Sequence, residues 1–303
     1  MPALVLLTAA TLSLSAGCAR ERYQEVRLAH RVPTSAAARP GISRPVLRVA
    51  LAGVISPRSA ITDYDDLIRY LETRLHLSAT VVAGRTYAET NRLLRVGDAD
   101  MAFVCTYAYV KGRHEFGLQL LAAPQVAGRA CYQSYIIVPR GSKATRLTDL
   151  RGARFAFTDP LSFTGRIYVL SALSRQGVDA KTFFSKVIYT SSHDNSVHMV
   201  AKGLVDGAAV DSLVYDNLAA RHDRIAAGTR IIERSPLFCS PPVVASPHLS
   251  DERARSLQEA LLTMHEDEPG RLALQRIGVE RFVAVDDADY DSVRAIAREV
   301  EEE

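Results

Sequence analysis

From Val46 onward the chain alternates short apolar runs with longer segments whose apolar residues recur every third or fourth position, and few folds accommodate that rhythm. Val46-Leu47-Arg48-Val49-Ala50-Leu51 reads as a first strand. Asp63 to His76 then sets Leu67, Ile68, Leu71 and Leu75 on one helical face, with Thr62 or Asp63 as cap. Ala79 to Val82 reads as a strand, Thr86 to Arg95 as a helix closed by Gly97, and Met101 to Val104 as a buried strand. Gln119 to Pro124 and Cys131 to Val138 are further strand-like runs. Arg154 to Phe157, Lys186 to Tyr189 and Gly207 to Val210 follow, each leading into a helix, at Thr164 to Arg175, Asn195 to Lys202 and Leu213 to Arg221. Strands separated by helices pair in parallel, with helices covering both faces. The expectation is an α/β fold with mostly parallel sheets.

Two breaks in the rhythm predict two lobes rather than one long sheet. Pro139-Arg140-Gly141-Ser142 interrupts the chain midway, and Ser235-Pro236 to Pro241-Pro242 interrupts it again. The helices expected after the second break, Ser250 to Met264 and Asp289 to Glu299, have no strand neighbours and pack most easily on the first lobe. Residues 46–138 with 241–303 are therefore assigned to lobe 1 and 139–240 to lobe 2, with two crossings and a cleft between. Glu299 to Glu303 reads as a disordered acidic tail.

The segment ahead of Val46 reads as targeting rather than structure. An apolar core from Leu4 to Leu14 runs into Ser15-Ala16-Gly17 and then Cys18, as in a bacterial lipoprotein signal whose cysteine is lipidated. No Lys or Arg precedes that core, and a plain signal peptide with an incidental cysteine is the alternative. On the first reading residues 1–17 are the signal and 18–45, with Pro33, Pro40 and Pro45, are a tether. The body is then exported, periplasmic or at the cell surface, and meets the membrane only through its anchor.

Composition excludes some classes. The formal charge is +3 over 303 residues, no basic block stands out and Trp is absent, which argues against nucleic-acid binding. After Cys18, three cysteines remain, Cys105, Cys131 and Cys239. Export would allow one pair to bridge, but sequence does not choose it. No spacing suits zinc; His193 and His198 sit about 140° apart on a helix. No metal or cofactor is expected.

The sharpest local signal is Phe157-Thr158-Asp159-Pro160-Leu161-Ser162-Phe163-Thr164-Gly165. A buried strand ends, the chain turns, and hydroxyls open a helix whose first amides lack partners. Ser162, Thr164 and the adjoining N–H groups suit a tetrahedral oxyanion, and Gly165 allows close approach. An ordinary N-cap is the plain alternative. Tyr189-Thr190-Ser191-Ser192-His193 repeats the arrangement, as do Val210-Asp211-Ser212 and, in the first lobe, Cys105-Thr106-Tyr107. Such turns gather at the carboxyl edge of a sheet.

These segments, with Gly97-Asp98-Ala99-Asp100-Met101-Ala102-Phe103, Tyr132 to Val138, Leu147 to Gly152, Gly203 to Ser212 and Arg281-Phe282-Val283, resemble the phosphate, phosphite and phosphonate-binding proteins of ABC importers. The resemblance runs from about Val46 to the C-terminus. It implies a two-lobed periplasmic-binding-protein fold of type II with two hinge crossings. The family's Ser-Thr-Ser-Gly helix start becomes Ser162-Phe163-Thr164-Gly165, so an aromatic ring replaces one hydroxyl. The family's ligand-facing histidine corresponds to His193, its tyrosine after the second strand to Tyr87, and an acidic or polar position near the ligand to Asp211. Ser192, Thr106 and Tyr107 complete the expected ligand-binding set. Aminophosphonate binders carry a carboxylate on the second crossing. Here it reads Phe238-Cys239-Ser240-Pro241-Pro242, which favours phosphate, phosphite or a small alkylphosphonate.

The resemblance implies a monomer that delivers its oxyanion to an ABC permease and its ATPase, without catalysis. Two other readings stay open. A ligand sensor could use the same fold with a signalling partner, and an enzyme could pair Cys105 as nucleophile with His193 as base.

Overall fold

A computed structural model of the chain describes residues 45–53, 57–221 and 224–301. The expected signal, Cys18 and the tether up to Arg44 lie outside the described residues. No helix among the described residues is long and apolar enough to cross a membrane.

The strands are β1 (Val46–Leu51), β2 (Ser78–Ala83), β3 (Met101–Phe103), β4 (Gln119–Gln125), β5 (Cys131–Tyr132), β6 (Ser134–Pro139), β7 (Arg154–Phe157), β8 (Lys186–Tyr189), β9 (Gly207–Asp211), β10 (Thr229–Arg234), β11 (Phe238–Cys239), β12 (Val243–Ala245) and β13 (Arg281–Val283). They build two sheets, ordered β13-β4-β12-β3-β1-β2 in the first lobe and β10-β6-β9-β7-β8 in the second. A separate ribbon joins β11 to β5 at the hinge.

Each sheet is mixed, where mostly parallel sheets were expected. β1 pairs in parallel with β2 and β3, and β7 with β8 and β9. β12 is antiparallel to β3 and β4, β13 to β4, and β6 to β9 and β10. The reason lies in the crossings. A strand that starts at the hinge, as β6 and β12 do, runs opposite to neighbours that end there.

The first crossing also falls earlier than the sequence breaks suggested. Ser134 to Ile137 bond to β9 and Tyr135 to Pro139 pair with β10, so residues 134–138 belong to the second sheet. Pro139 marks only the turn that ends β6, where the Ser142 N–H donates to the Pro139 carbonyl at 2.8 Å. β10, β12, β13 and the helices Thr106–Phe116 and Glu268–Ile277 had no clear signal: each strand is short or half-polar.

Period-two alternation distributes the core over both faces of each sheet. Leu47, Val49, Met101, Val243 and Ala245 face the helices Pro57–Leu75, Asp251–Thr263 and Glu268–Ile277. Ala50, Ala102 and Val244 turn the other way, toward Tyr87–Val96, Thr106–Phe116 and Asp291–Glu301. In the second lobe Ile136 and Val138 join one cluster, Tyr135 and Ile137 the other. Phe163 and Ile167 of the second lobe belong to the first lobe's buried cluster. The lobes are shut on each other.

Polar contacts hold them shut. Asn217 Nδ2 donates to the Ile277 carbonyl at 3.3 Å, and Arg221 Nη2 to that of Arg276 at 2.7 Å. Arg221 also meets Asp63 at 3.2 Å. Glu299, expected in a disordered tail, lies in the last helix and binds Arg175 at 2.8 Å and the Ser171 hydroxyl at 2.7 Å. A helix continued to Glu301 orders that carboxylate because the second lobe supplies its partners.

Candidate functional site

Four strands, β3, β7, β8 and β9, end in turns that open helices where the lobes meet. Ser162 caps its helix by accepting from the Gly165 N–H at 3.0 Å, and Ser192 accepts from Asn195 at 3.4 Å. Asp211 Oδ1 accepts from Leu213 at 2.7 Å and from Val214 at 3.4 Å. The capping alternative therefore holds for these three side chains. Each has a structural partner already.

The segment Phe163–Ile167 is a single wide turn in which the Ile167 N–H reaches back five residues to the Ser162 carbonyl at 3.0 Å. Such turns displace backbone groups from the regular ladder and recur at functional positions. Gly165 is required by packing. A Cβ there would lie 2.4 Å from Thr158 Oγ1 and 2.7 Å from Ser162 Oγ. Its close approach is to Thr158, a residue the sequence reading passed over.

Two hydroxyls in this region are different. Thr164 Oγ1 and the Tyr87 hydroxyl are buried and have no hydrogen-bond partner among the described residues. Natural interiors rarely leave such groups unmatched, since the desolvation cost is about 1–3 kcal/mol each. Tyr87 comes from the first lobe and Thr164 from the second. Burial raises the Tyr87 phenol well above its ordinary range, the nearby Cys105, Asp159 and Asp211 add to the rise, and a weak contact from the Ser162 hydroxyl, short of a well-formed hydrogen bond, opposes it. The tyrosine thus stays neutral and faces the Ser162 turn.

His193 is fully buried, and its Nδ1 accepts the Asp211 N–H at 3.0 Å and lies 3.1 Å from Thr158 Oγ1. Burial pushes its pKa down to about 3, against a small opposing pull from Asp194. The ring is neutral, and an acceptor at Nδ1 puts the proton on Nε2. His193 therefore presents a neutral N–H donor.

Asp211 is pushed up to about 7 by burial, partly offset by the two amides it caps. Its charge is felt by Tyr64, Tyr87, Cys105 and Tyr132, so it faces the first lobe and the hinge. Asp159 is likewise raised by burial; its Oδ2 accepts the Tyr87 N–H at 3.2 Å. That bond sets a second-lobe carboxyl on the first turn of a first-lobe helix, where the macrodipole favours it.

The remaining expected residues are close by with their groups engaged. Thr106 Oγ1 and the Tyr132 hydroxyl are 2.5 Å apart. Tyr107 is buried in the same apolar cluster. Phe163 donates its N–H to Cys105 Sγ at 3.3 Å and sets its ring edge-on to Phe238, centroids 4.7 Å apart. Gly53 comes so close to the second lobe that a Cβ would lie 2.8 Å from the Ser191 carbonyl. Tyr64, Tyr132, Thr158 and Asp159 were not on the expected list. Thr158 and Asp159 stood inside the strongest motif and were legible; Tyr64 lay on a helix read only for its apolar face. Among the described residues no Lys or Arg is buried as a whole side chain, although the Arg166 Nε, on the Ser162 turn, is buried without a partner. The interior offers hydroxyls, amides, one imidazole N–H and the carboxyls of Asp159 and Asp211.

A family model for the periplasmic substrate-binding protein of phosphonate ABC transporters matches residues 49–290. The phosphate-import protein PhnD of Mycolicibacterium smegmatis is 28% identical over 256 residues, covering 77% of this chain and 79% of that protein. Among solved structures, PhnD1 of Prochlorococcus marinus in complex with methylphosphonate aligns with TM-score 0.77 at 18% identity, over 85% of this chain and 99% of that one. A binding protein component of an ABC phosphonate transporter from Pseudomonas aeruginosa aligns with TM-score 0.77 at 21% identity, over 84% and 85% of the two chains. The shared architecture is that of type II periplasmic binding proteins, and the chain belongs to the family of phosphonate-binding periplasmic proteins of ABC transporters.

Proposed function

We propose that the closed lobes enclose one small phosphorus oxyanion, phosphate, phosphite or a small alkylphosphonate, and that the closed form carries it to an ABC permease and its ATPase. The observation that carries this reading is two buried hydroxyls without a hydrogen-bond partner among the described residues, Tyr87 and Thr164, one from each lobe, together with a neutral His193 whose Nδ1 lies 3.1 Å from Thr158, the residue packed on Gly165. An oxyanion would satisfy all three and draw the lobes together. Helix amides at the Ser162, His193 and Asp211 turns add oriented dipoles that favour an anion. The proton held on Asp211 up to about pH 7 gives a further donor to an anionic oxygen. Relatives named for phosphate import, phosphite binding and methylphosphonate support the ligand class.

The second crossing, Phe238 to Pro242, carries no carboxylate, which disfavours a ligand with an amine. Cys105 does not support the enzymatic alternative. It is buried, accepts the Phe163 N–H, and burial pushes its thiol up to about 11. The motif ending in Cys18 supports a lipid anchor for the delivered body.

A thermal-shift series with phosphate, phosphite, methylphosphonate, aminoethylphosphonate and sulfate tests the proposal, since a ligand of the native state stabilises it by mass action. Stabilisation by none of the three phosphorus oxyanions without an amine would overturn it. Failure of Cys18→Ser to release the protein from membranes would overturn the anchor alone.

A further inference from the structure

Cys131 and Cys239 are directly opposite each other in the antiparallel ribbon formed by β5 and β11. The Ser240 N–H donates to the Ala130 carbonyl at 3.1 Å, one residue beyond the pair on each strand. That pattern makes Cys131 and Cys239 a non-hydrogen-bonded pair, the register in which opposed Cα atoms come within about 4.5 Å and side chains approach most closely. A disulfide spans Cα separations of roughly 4.4–6.8 Å, so the backbone need not move far to accept one. The two strands are the two crossings between the lobes. Both thiols are partly accessible in the structure, where all three described cysteines are unbridged. Cys105 is buried against the Phe163 N–H and faces neither of them in register.

We propose that Cys131 and Cys239 form a disulfide that staples the two hinge strands of the exported protein. The oxidant is a disulfide of low molecular weight or of a protein oxidant. The Cys131 thiolate attacks one sulfur of that disulfide, giving a mixed disulfide and expelling one thiolate. Cys239 then loses its proton and attacks the Cys131 sulfur, expelling the second thiolate. Two protein thiols and one external disulfide become one protein disulfide and two external thiols. Burial raises the Cys239 thiol, Asp289 and Cys131 adding to the rise and a contact with Tyr290 opposing it, which suits Cys239 to the second, intramolecular step. The bond encloses the whole second lobe, β6 to β10, in one covalent loop, and pins the crossings at a single point about which the lobes turn.

The full chain, exported and purified without reductant, is alkylated under denaturing conditions and peptide-mapped; a second sample purified with reductant is oxidised with glutathione disulfide in vitro. The expected map joins the Cys131 peptide to the Cys239 peptide, about 2 Da lighter than the two thiol peptides together, with Cys105 alkylated. Reduction should free both and lower the unfolding midpoint by about 10 °C, as closure of a loop near 100 residues implies, and the C131S/C239S double variant should show no such fall. Alkylation of both cysteines in the glutathione-oxidised sample, or a link through Cys105, overturns the pairing. A link that forms only in vitro overturns the exported staple while leaving the oxyanion proposal untouched.

Discussion

Replacing Thr164 by Val and Tyr87 by Phe removes two hydroxyls while keeping shape, and the structure fixes what each should cost. Neither oxygen has a well-formed hydrogen bond among the described residues, Tyr87 keeping only a weak contact with the Ser162 hydroxyl, so its removal costs little and relieves a buried polar group. The ligand-free protein should keep its unfolding midpoint or gain slightly. Binding should suffer, because a hydrogen bond to a charged acceptor contributes about 1.5–3 kcal/mol. At roughly 1.4 kcal/mol per decade, each variant should bind phosphate or methylphosphonate about 10- to 150-fold more weakly. A 100-fold rise in Kd removes about 2.7 kcal/mol of ligand-induced stabilisation at fixed saturating ligand. In a body of this size that is a loss of roughly 5–10 °C in the ligand-induced shift. Calorimetry gives the affinity and thermal unfolding with and without ligand gives the shift. If T164V and Y87F lower ligand-free stability yet leave affinity unchanged, the hydroxyls are structural and the reasoning fails.

Three further outcomes follow from the same geometry. Burial pushes Asp211 up to about 7 in the folded protein; as a neutral donor to a ligand it is complete well below that value and is lost as pH rises through it. Oxyanion affinity should therefore fall across pH 6–8 in a way that Asp211→Asn, which keeps the cap, flattens; an unaltered pH profile in D211N would contradict this. Arg221→Ala removes the Asp63 ion pair and the bond to the Arg276 carbonyl between the lobes; since Arg221 is half exposed, the ion pair's share should stay within about 1 kcal/mol, a few-fold in affinity, and that share should shrink in high salt. Aminoethylphosphonate should bind at least tenfold more weakly than methylphosphonate in competition calorimetry, roughly the worth of one unpaired buried charge-assisted bond; equal affinities would show that a carboxylate elsewhere takes the amine.

What the sequence determined by itself was the local grammar. Alternating patterns gave strands such as Val46–Leu51 and helices such as the one from Tyr87, because burial on one face imposes a period that polar residues cannot hide. The hydroxyl-rich turns at Ser162, Ser192 and Asp211 were legible for a similar reason: helix starts need acceptors, and those residues supply them. Tertiary structure alone decided which hydroxyls remain unmatched. Ser162 and Thr106 look as available as Thr164 in the sequence, yet Gly165 engages one and Tyr132 the other. It decided too that the first crossing lies at β5, since β6 is claimed by β9 and β10 across gaps of some seventy to a hundred residues. The protonation of His193 and Asp211 belongs to the same class. Desolvation depends on what packs from the opposite lobe, and no local window of residues contains that information.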